Sequence, residues 1–271
     1  MDWTAVSLAI SEVAATEVES RFGNLLASEV SEKTPGEVVT AADRACERAL
    51  TERLVRIRDI PVVGEEATAD AAALTQQIAS APAVWLVDPL DGTSNFVAGS
   101  TDHAVMVALV EQGVTVASWM WHPVSEVMAH AVLGEGAWLN DRRVTAPTPG
   151  RGIDDLRGVL KKRFLPDDVL NRVDSGPGML LAATEGRNCA GLDYPDLATG
   201  AVDFLLYWRT LPWDHAPGVL FAQEAGLQGA RPDGSQYVVG DHRSGLLVSH
   251  PAVWDEIRDA LFVGEGATAL P

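Results

Sequence analysis

The sequence predicts an α/β fold with an antiparallel, α+β element, and three observations carry that prediction. Apolar residues at helical spacing (Trp3, Val6, Ile10, Val13) alternate with short strand-like runs such as Val62-Val63 and Trp85-Leu86-Val87. Both of those runs deliver carboxylates at their C-terminal ends, Glu65-Glu66 and Asp88, where open α/β sheets place their ligands. Ala104–Val110 and Val114–Met120 flank Glu111-Gln112-Gly113, the signature of an antiparallel hairpin.

In chain order, the three- and four-residue spacing continues through Val18 to Phe22 and Leu25, predicting one long amphipathic first helix. Lys33-Thr34-Pro35-Gly36 reads as a loop. Thr40 can cap a second helix that buries Cys46, Ala49, Leu50, Leu54 and Ile57. A short strand ends in a glycine turn at Gly64-Glu65-Glu66, and the Ala-rich stretch Ala67–Ala81 reads as loop then helix. After the hairpin, a strand at Val127–Val132 ends in a Gly134-Glu135-Gly136 turn. Pro147-Thr148-Pro149-Gly150 is the clearest linker signal, so halves of 1–146 and 147–271 are expected. The second half alternates: strands at Val159–Lys161, Met179–Leu181 and Val202–Trp208, and helices at Asp167–Val173, Cys189–Ala198 and Asp214–Ala225, with Gly226 as terminator. Short strands near Leu227, Tyr237–Val239 and Gly245–Val248 precede a last helix at Trp254–Leu261.

With 38 acidic against 20 basic residues, the formal charge of −18 disfavours nucleic acid or an anionic membrane as a main partner. The one basic cluster, Lys161-Lys162-Arg163, reads as a solvated face. Cys46 and Cys189 are the only cysteines, and Cys46 falls on an apolar helix side, so a reducing compartment is expected. The first twelve residues carry an early Asp2 and no basic region, which is not a signal-peptide pattern. The longest apolar window, Ala104–Trp121, is broken by Glu111-Gln112-Gly113 and is too short to span a bilayer. A cytoplasmic protein is the expectation.

Chemistry concentrates in Asp88-Pro89-Leu90-Asp91-Gly92-Thr93-Ser94-Asn95-Phe96. Pro89 fixes its own φ, so the backbone between the two aspartates is nearly constant. Two carboxylates so close repel, which makes a cation their natural partner. The amides of Gly92 and Thr93 can cradle an anion. Taken alone, the stretch reads equally well as an acidic β-turn after a strand. Asp43 also reads as favourable charge at a helix start, and Asp214 as an N-cap.

Together these stations resemble the inositol monophosphatase family, part of the lithium-sensitive, metal-dependent sugar-phosphatase superfamily. The resemblance rests on Gly64-Glu65-Glu66, on Asp88 to Phe96, and on Trp213-Asp214-x-Ala216-x-Gly218. Lesser matches are Val39-Thr40-x-x-Asp43, Gly136-Ala137-x-Leu139-Asn140 and Ala198-x-Gly200-x-x-Asp203. It implies a layered αβαβα sandwich, a homodimer, and two to three Mg²⁺ ions replaceable by Mn²⁺ or Ca²⁺ and sensitive to Li⁺. By resemblance, Glu65, Asp88, the Leu90 carbonyl, Asp91 and Asp214 are the metal ligands. Asp43, Thr93 and Glu66 form the catalytic set, with Thr93 and Asp43 orienting and deprotonating the attacking water. Asp91, Gly92, Thr93, Ala190, Tyr207 and His215 would face a small phosphorylated metabolite. Lys33 matches a lysine of peripheral role. Tyr207 stands where inositol phosphatases place a glutamate, so inositol phosphate is one candidate among polyol, sugar, histidinol and nucleotide phosphates.

Two rival readings make different demands on these residues. A haloacid-dehalogenase phosphatase needs two aspartates two residues apart, whereas Asp88 and Asp91 are separated by Pro89 and Leu90. A non-hydrolytic regulatory protein is the other, and the full set of acidic residues argues against it.

Overall fold

Alternating apolar faces set the layers of this molecule. The computed structural model describes residues 1–150, 152–175, 181–241 and 243–263. Helix α1 (Trp3–Glu17) starts where Asp2 Oδ1 accepts the Ala5 N–H at 3.2 Å. It is shorter than its spacing predicts. After Val18 the chain makes one 3₁₀ turn, and Phe22 becomes extended, setting its ring 5.5 Å from that of Phe96 and 5.0 Å from that of His103. Tertiary packing, not helix continuation, produced the apolar spacing at Phe22 and Leu25. Strands β1 (Val30–Thr34) and β2 (Glu37–Thr40) pair as a hairpin, so Lys33 and Thr34 lie on a strand and not in a loop. Helix α2 (Ala41–Ile57) opens with a capping box: Thr40 Oγ1 accepts the Ala42 N–H at 3.1 Å and Asp43 Oδ2 accepts the Thr40 N–H at 2.8 Å.

Strand β3 (Val62–Gly64) runs directly into α3 (Glu65–Asp70), so Glu65 and Glu66 open a helix instead of forming a turn. Helix α4 (Gln76–Ser80) leads into β4 (Ala83–Asp91), which is followed by α5 (Thr93–Val97), β5 (Ala104–Glu111) and β6 (Val114–His122). Strands β7 (Val127–Val132), β8 (Gly136–Leu139) and β9 (Arg142–Val144) complete a seven-stranded sheet in chain order, parallel at β3–β4 and antiparallel beyond. The last two strands carry no period-two burial pattern and so do not announce themselves in the sequence.

The second sheet holds β10 (Arg157–Leu160), then, past α6 (Asp167–Ser175), β11 (Ala182–Thr184). Helix α7 (Ala190–Ala198), β12 (Phe204–Tyr207), α8 (Pro212–Glu224), β13 (Gln228–Ala230), β14 (Leu246–Ser249) and α9 (Pro251–Phe262) follow. Its order is β11-β10-β12-β14-β13, with β10 parallel to both neighbours and β14 antiparallel to both of its own. The strand expected at Met179–Leu181 falls partly outside the described residues, and β11 lies just after it. Tyr237–Val239 forms no strand; only Gln236 bridges, to Ala230.

Period-two alternation sends Trp85 and Val87 of β4 to one face, against Ile10 of α1 and Cys46 and Leu50 of α2. On the other face Met106, Met120 and Ala129 meet Tyr194 of α7 and Leu220 and Phe221 of α8, together with Leu205 and Val248 of the second sheet. The far face of that sheet, through Phe204, Leu206 and Leu247, packs on Val169 of α6 and Trp254 of α9. The order is therefore helix, sheet, helix, sheet, helix, as expected. Each fully buried large side chain in these layers contributes about 1.5–3 kcal/mol. The central layer matters most for chemistry, because it draws α7 and α8 onto the sheet that carries Asp88.

Candidate metal centre and active site

A strand normally points residues i and i+3 to opposite faces. Strand β4 escapes this at its end. Asp88 pairs with Met106 and Asp91 with Ala104, so three steps on β4 match two on β5 and one residue is bulged out at Pro89-Leu90. Pro89 has no N–H to contribute to the ladder, which favours the bulge there. As a result both Asp88 and Asp91 line one cavity of about 400 Å³. Gly92 ends the strand at φ +83°, and a Cβ there would meet the Asp102 carbonyl at 2.8 Å, so the turn accepts only glycine.

Glu65 at the start of α3, Asp88 on β4 and Asp214 on α8 each place a carboxylate oxygen within 4.8 Å of the others. Asp214 is not an N-cap: Leu211 holds that position, Pro212 is the first helical residue, and Asp214 is the third. Burial, reinforced by the charges of Glu65, Asp91 and Asp214, pushes the Asp88 carboxyl well above the usual carboxylate range. Burial with Glu65 and Asp91 does the same to Asp214. Asp91 reaches about 6, again chiefly through burial, although its Oδ2 accepts the Gly191 N–H at 2.7 Å and lies 3.1 Å from Cys189 Sγ. The donor set is entirely oxygen, mutually repulsive without a cation, and suited to a hard divalent ion such as Mg²⁺, Mn²⁺ or Ca²⁺.

The N-terminus of α3 is held from α2. Glu47 accepts the N–H groups of Glu66 and Ala67, at 2.7 and 2.8 Å. Gly64 makes room for this, since a Cβ there would lie 2.3 Å from the Glu47 carboxylate. Lys33, matched above to a lysine of peripheral role, touches both acids at the start of α3: its Nζ is 3.0 Å from Glu65 Oε1 and also bonds Glu66. Burial nevertheless raises the Glu66 carboxyl to about 7.

Beside the acids, Thr93 Oγ1 lies 2.9 Å from Asp43 Oδ1 and 2.8 Å from the Leu90 carbonyl, to either of which it can donate. The other Asp43 oxygen takes both the N–H and the hydroxyl of Thr40, so the carboxylate is fixed, and burial raises its pKa. By itself Asp43 reads as helix-start charge, and only the family resemblance sets it beside Thr93; the contact between them spans fifty residues.

Ala190, Tyr207 and His215 line the same cavity. The Tyr207 hydroxyl donates to Asp193 Oδ2 at 2.8 Å. His215 Nε2 lies 3.2 Å from the Arg209 carbonyl, which can only accept, so Nε2 carries the proton and Nδ1 accepts from the Tyr194 hydroxyl at 3.1 Å. Burial lowers His215 to about 3, which keeps it neutral. The basic cluster expected on a solvated face is divided: Lys162 pairs with Asp174 at 2.6 Å, whereas Lys161 and Arg163 line the cavity. Asp193 and Arg209 carried no usable sequence signal, and Glu47, Lys161 and Arg163 read as helix-start charge and a solvated face, because their partners are distant in the chain. Both cysteines are buried free thiols. Among the described residues no helix is long and apolar enough to cross a membrane.

Known proteins resemble this chain in sequence and in fold. An inositol-1-monophosphatase from Rhizobium meliloti is 31% identical over 216 residues, 76% of each chain. A Neisseria meningitidis protein named a putative Nus factor SuhB is 31% identical over 209 residues, 75% of this chain and 77% of its own. The solved extragenic suppressor protein suhB from Bartonella henselae superposes with a TM-score of 0.79 at 25% identity, covering 96% of this chain and 98% of that one. The family model described as inositol monophosphatase matches residues 2–262. Its span takes in Asp43, the Glu65–Asp88–Asp214 cluster and both sheets alike, and on that ground the chain belongs to the inositol monophosphatase family.

Proposed function

We propose that the chain is a Mg²⁺-dependent phosphomonoesterase of small metabolites, in which water attacks phosphorus directly. The observation that carries this is the convergence of Glu65, Asp88 and Asp214 within 4.8 Å beside the Thr93–Asp43 hydrogen bond. Glu65, Asp88, the Leu90 carbonyl, Asp91 and Asp214 would hold two to three ions. When bound, such ions supply the charge that lowers the pKa of water and offsets the charge of the transferring phosphoryl group.

The chain's own groups do the rest. Thr93 Oγ1 accepts a hydrogen bond from the attacking water and passes a proton to Asp43 Oδ1, whose orientation Thr40 fixes. The amides of Gly92 and Thr93 hold phosphate oxygens in place as negative charge develops. Glu66, held by Lys33, belongs to the same catalytic set. Ala190, Tyr207 and His215 form the wall that meets the leaving group. With its hydroxyl committed to Asp193, Tyr207 does not replace a carboxylate acceptor for a polyol ring, so sugar, histidinol and nucleotide phosphates stand beside inositol phosphates as substrates.

In this reading residues 1–146 supply Asp43 to Thr93, residues 147–271 supply Asp214 and the specificity segment, and the protein is a cytoplasmic homodimer. The test is phosphate release from a panel of these phosphomonoesters with Mg²⁺, using Asp88→Asn as control. Full activity of that variant overturns the metal assignment. The likeness to the Neisseria SuhB supports one second reading, a regulatory protein acting through partners. Release of no phosphate from the whole panel would favour it.

A further inference from the structure

In a chain of charge −18, three cations line the cavity that also holds the carboxylate cluster. They are Lys161 and Arg163 around the end of β10, and Arg209 after β12. Their placement is built. Lys161 Nζ donates to Asn188 Oδ1 at 2.9 Å and to the Glu185 carbonyl. Arg163 is held by the carbonyls of Pro35, at 2.9 Å, and Gly36, at 3.4 Å, at the tip of the β1–β2 hairpin. Its guanidinium and that of Arg209 both lie against the Phe164 ring, 5.1 and 4.6 Å from its centre. Arg209 pairs with Glu37, and Lys161 is 3.9 Å from the buried Asp193. Among the described residues Arg163 has no carboxylate within ion-pair distance.

Part of this arrangement staples the hairpin to the second half of the chain. Stapling does not require charge. A neutral donor would serve the Pro35 and Gly36 carbonyls, and holding Asn188 does not require an ammonium. Arg163 faces backbone carbonyls and shares the single carboxylate of Glu37 with Arg209, so the two guanidinium groups keep part of their field for a ligand. The cavity is therefore polarised, with acids that suit metal at one part and fixed cations at another, joined by the apolar Phe164 and Tyr207 rings.

Resting on the phosphatase reading, we propose that Lys161, Arg163 and Arg209 form a second anion subsite, and that the substrate is a phosphomonoester whose leaving group carries a further anionic group, a carboxylate or a second phosphate. The scissile phosphate lies at Gly92-Thr93, and the remote anion lies on the cationic rim. Charge-assisted hydrogen bonds from Lys and Arg are the strong ones, so the rim discriminates in binding more than in chemistry.

The test uses matched substrate pairs with Mg²⁺. Glycerol 3-phosphate and 3-phosphoglycerate differ by the carboxylate; adenosine 3′-phosphate and adenosine 3′,5′-bisphosphate differ by the second phosphate. The expected result is a preference of about tenfold or more in kcat/KM for the doubly anionic member of at least one pair. The pair that shows it identifies the group. In Lys161→Gln and in the Lys161→Gln/Arg163→Gln double variant that preference collapses through KM, and in Lys161→Arg it is retained. Lys161→Gln leaves the hairpin carbonyls untouched, so its result stands even where loss of Arg163 loosens the fold. No preference in the wild type, or one that survives in both variants, overturns the subsite while phosphate release continues. If no compound releases phosphate, inositol 1-phosphate included, the phosphatase reading fails instead. Calorimetric titration of the same pairs then decides the rim alone: a preference lost in the variants supports it, and its absence overturns it.

Discussion

Glu47 and Glu66 are joined by a hydrogen bond of 2.7 Å, from the Glu66 N–H to the Glu47 carboxylate, and the neighbouring Ala67 N–H occupies the other oxygen. One carboxylate from α2 thus satisfies two of the open amides at the start of α3, and it lies where the helix dipole favours negative charge. Glu65 is the residue immediately before, so Glu47 helps to aim a carboxylate of the Glu65–Asp88–Asp214 cluster without itself lining the cavity. Glu47→Ala is expected to cost about 2–3 kcal/mol in urea unfolding. It is also expected to weaken Mg²⁺ activation about tenfold, with Glu47→Gln recovering part of both because one acceptor remains. An unchanged Mg²⁺ titration in Glu47→Ala would show that Glu65 is placed without help from Glu47.

Thr93 and Asp43 make a second prediction. Proton transfer by a positioned side chain contributes about 10²–10⁴-fold to rate. Thr93→Val keeps the shape and removes the hydroxyl that bridges Asp43 Oδ1 and the Leu90 carbonyl. The expected outcome is a fall of about 100-fold or more in kcat at nearly constant KM, with Thr93→Ser restoring most of it. Steady-state phosphate release reads this directly. A loss confined to KM would place Thr93 in binding only.

Much of this site was legible before any coordinates because its chemistry is local. Pro89 between two aspartates marked a stiff backbone, and the bulge there is what turns Asp88 and Asp91 into one cavity. Thr40 and Asp43, three apart, announced the start of α2. Contacts that join distant segments were invisible. Phe22 looked helical because its spacing suited α1, although it serves the Phe96 and His103 rings. Lys161 and Arg163 looked like a solvated run because Asn188, Pro35 and Gly36, which hold them, lie far off in the chain. Strands β8 and β9 show no alternation of buried and exposed residues, so no period-two pattern marks them.

The converging acids predict opposite effects on stability and on activity. Asp88 is 2% exposed and faces the charges of Glu65, Asp91 and Asp214, an arrangement that costs stability when no cation offsets it. Asp88→Asn keeps an oxygen for the Leu90 N–H, which donates to Asp88 Oδ1 at 3.0 Å, and removes one charge. In EDTA this variant is expected to melt several degrees above the wild type, roughly 1–2 kcal/mol more stable. Adding 10 mM Mg²⁺ raises the wild-type melting temperature and leaves the variant nearly unmoved. Equal melting of the two proteins in EDTA would mean that the carboxylates already share protons and do not strain the fold.

His122 sets an acid limit on stability. It is 6% exposed on β6, and its Nε2 is 2.7 Å from the Gly191 carbonyl, so the neutral ring donates there. Burial lowers its pKa from 6.5 to about 4, with Arg187 and His103 adding to the shift, and Asp196 and the Gly191 bond opposing it. Between those two values the unfolded chain binds the proton that the folded chain refuses, so stability rises with pH there. The contribution is complete above pH 6.5, declines as pH falls, and is exhausted near pH 4, at a total of about 3 kcal/mol. His122→Gln removes this titration whatever it costs at neutral pH. Plotted against pH, the difference in unfolding free energy between wild type and variant is expected to shrink by about 3 kcal/mol from pH 7 to pH 4. Taking the difference cancels the carboxylates, Asp91 among them, whose raised pKa values act in the opposite direction. It also cancels His215, whose titration near pH 3 is common to both proteins. A difference that stays flat from pH 7 to pH 4 would mean that His122 protonates in the folded state as readily as in the unfolded one.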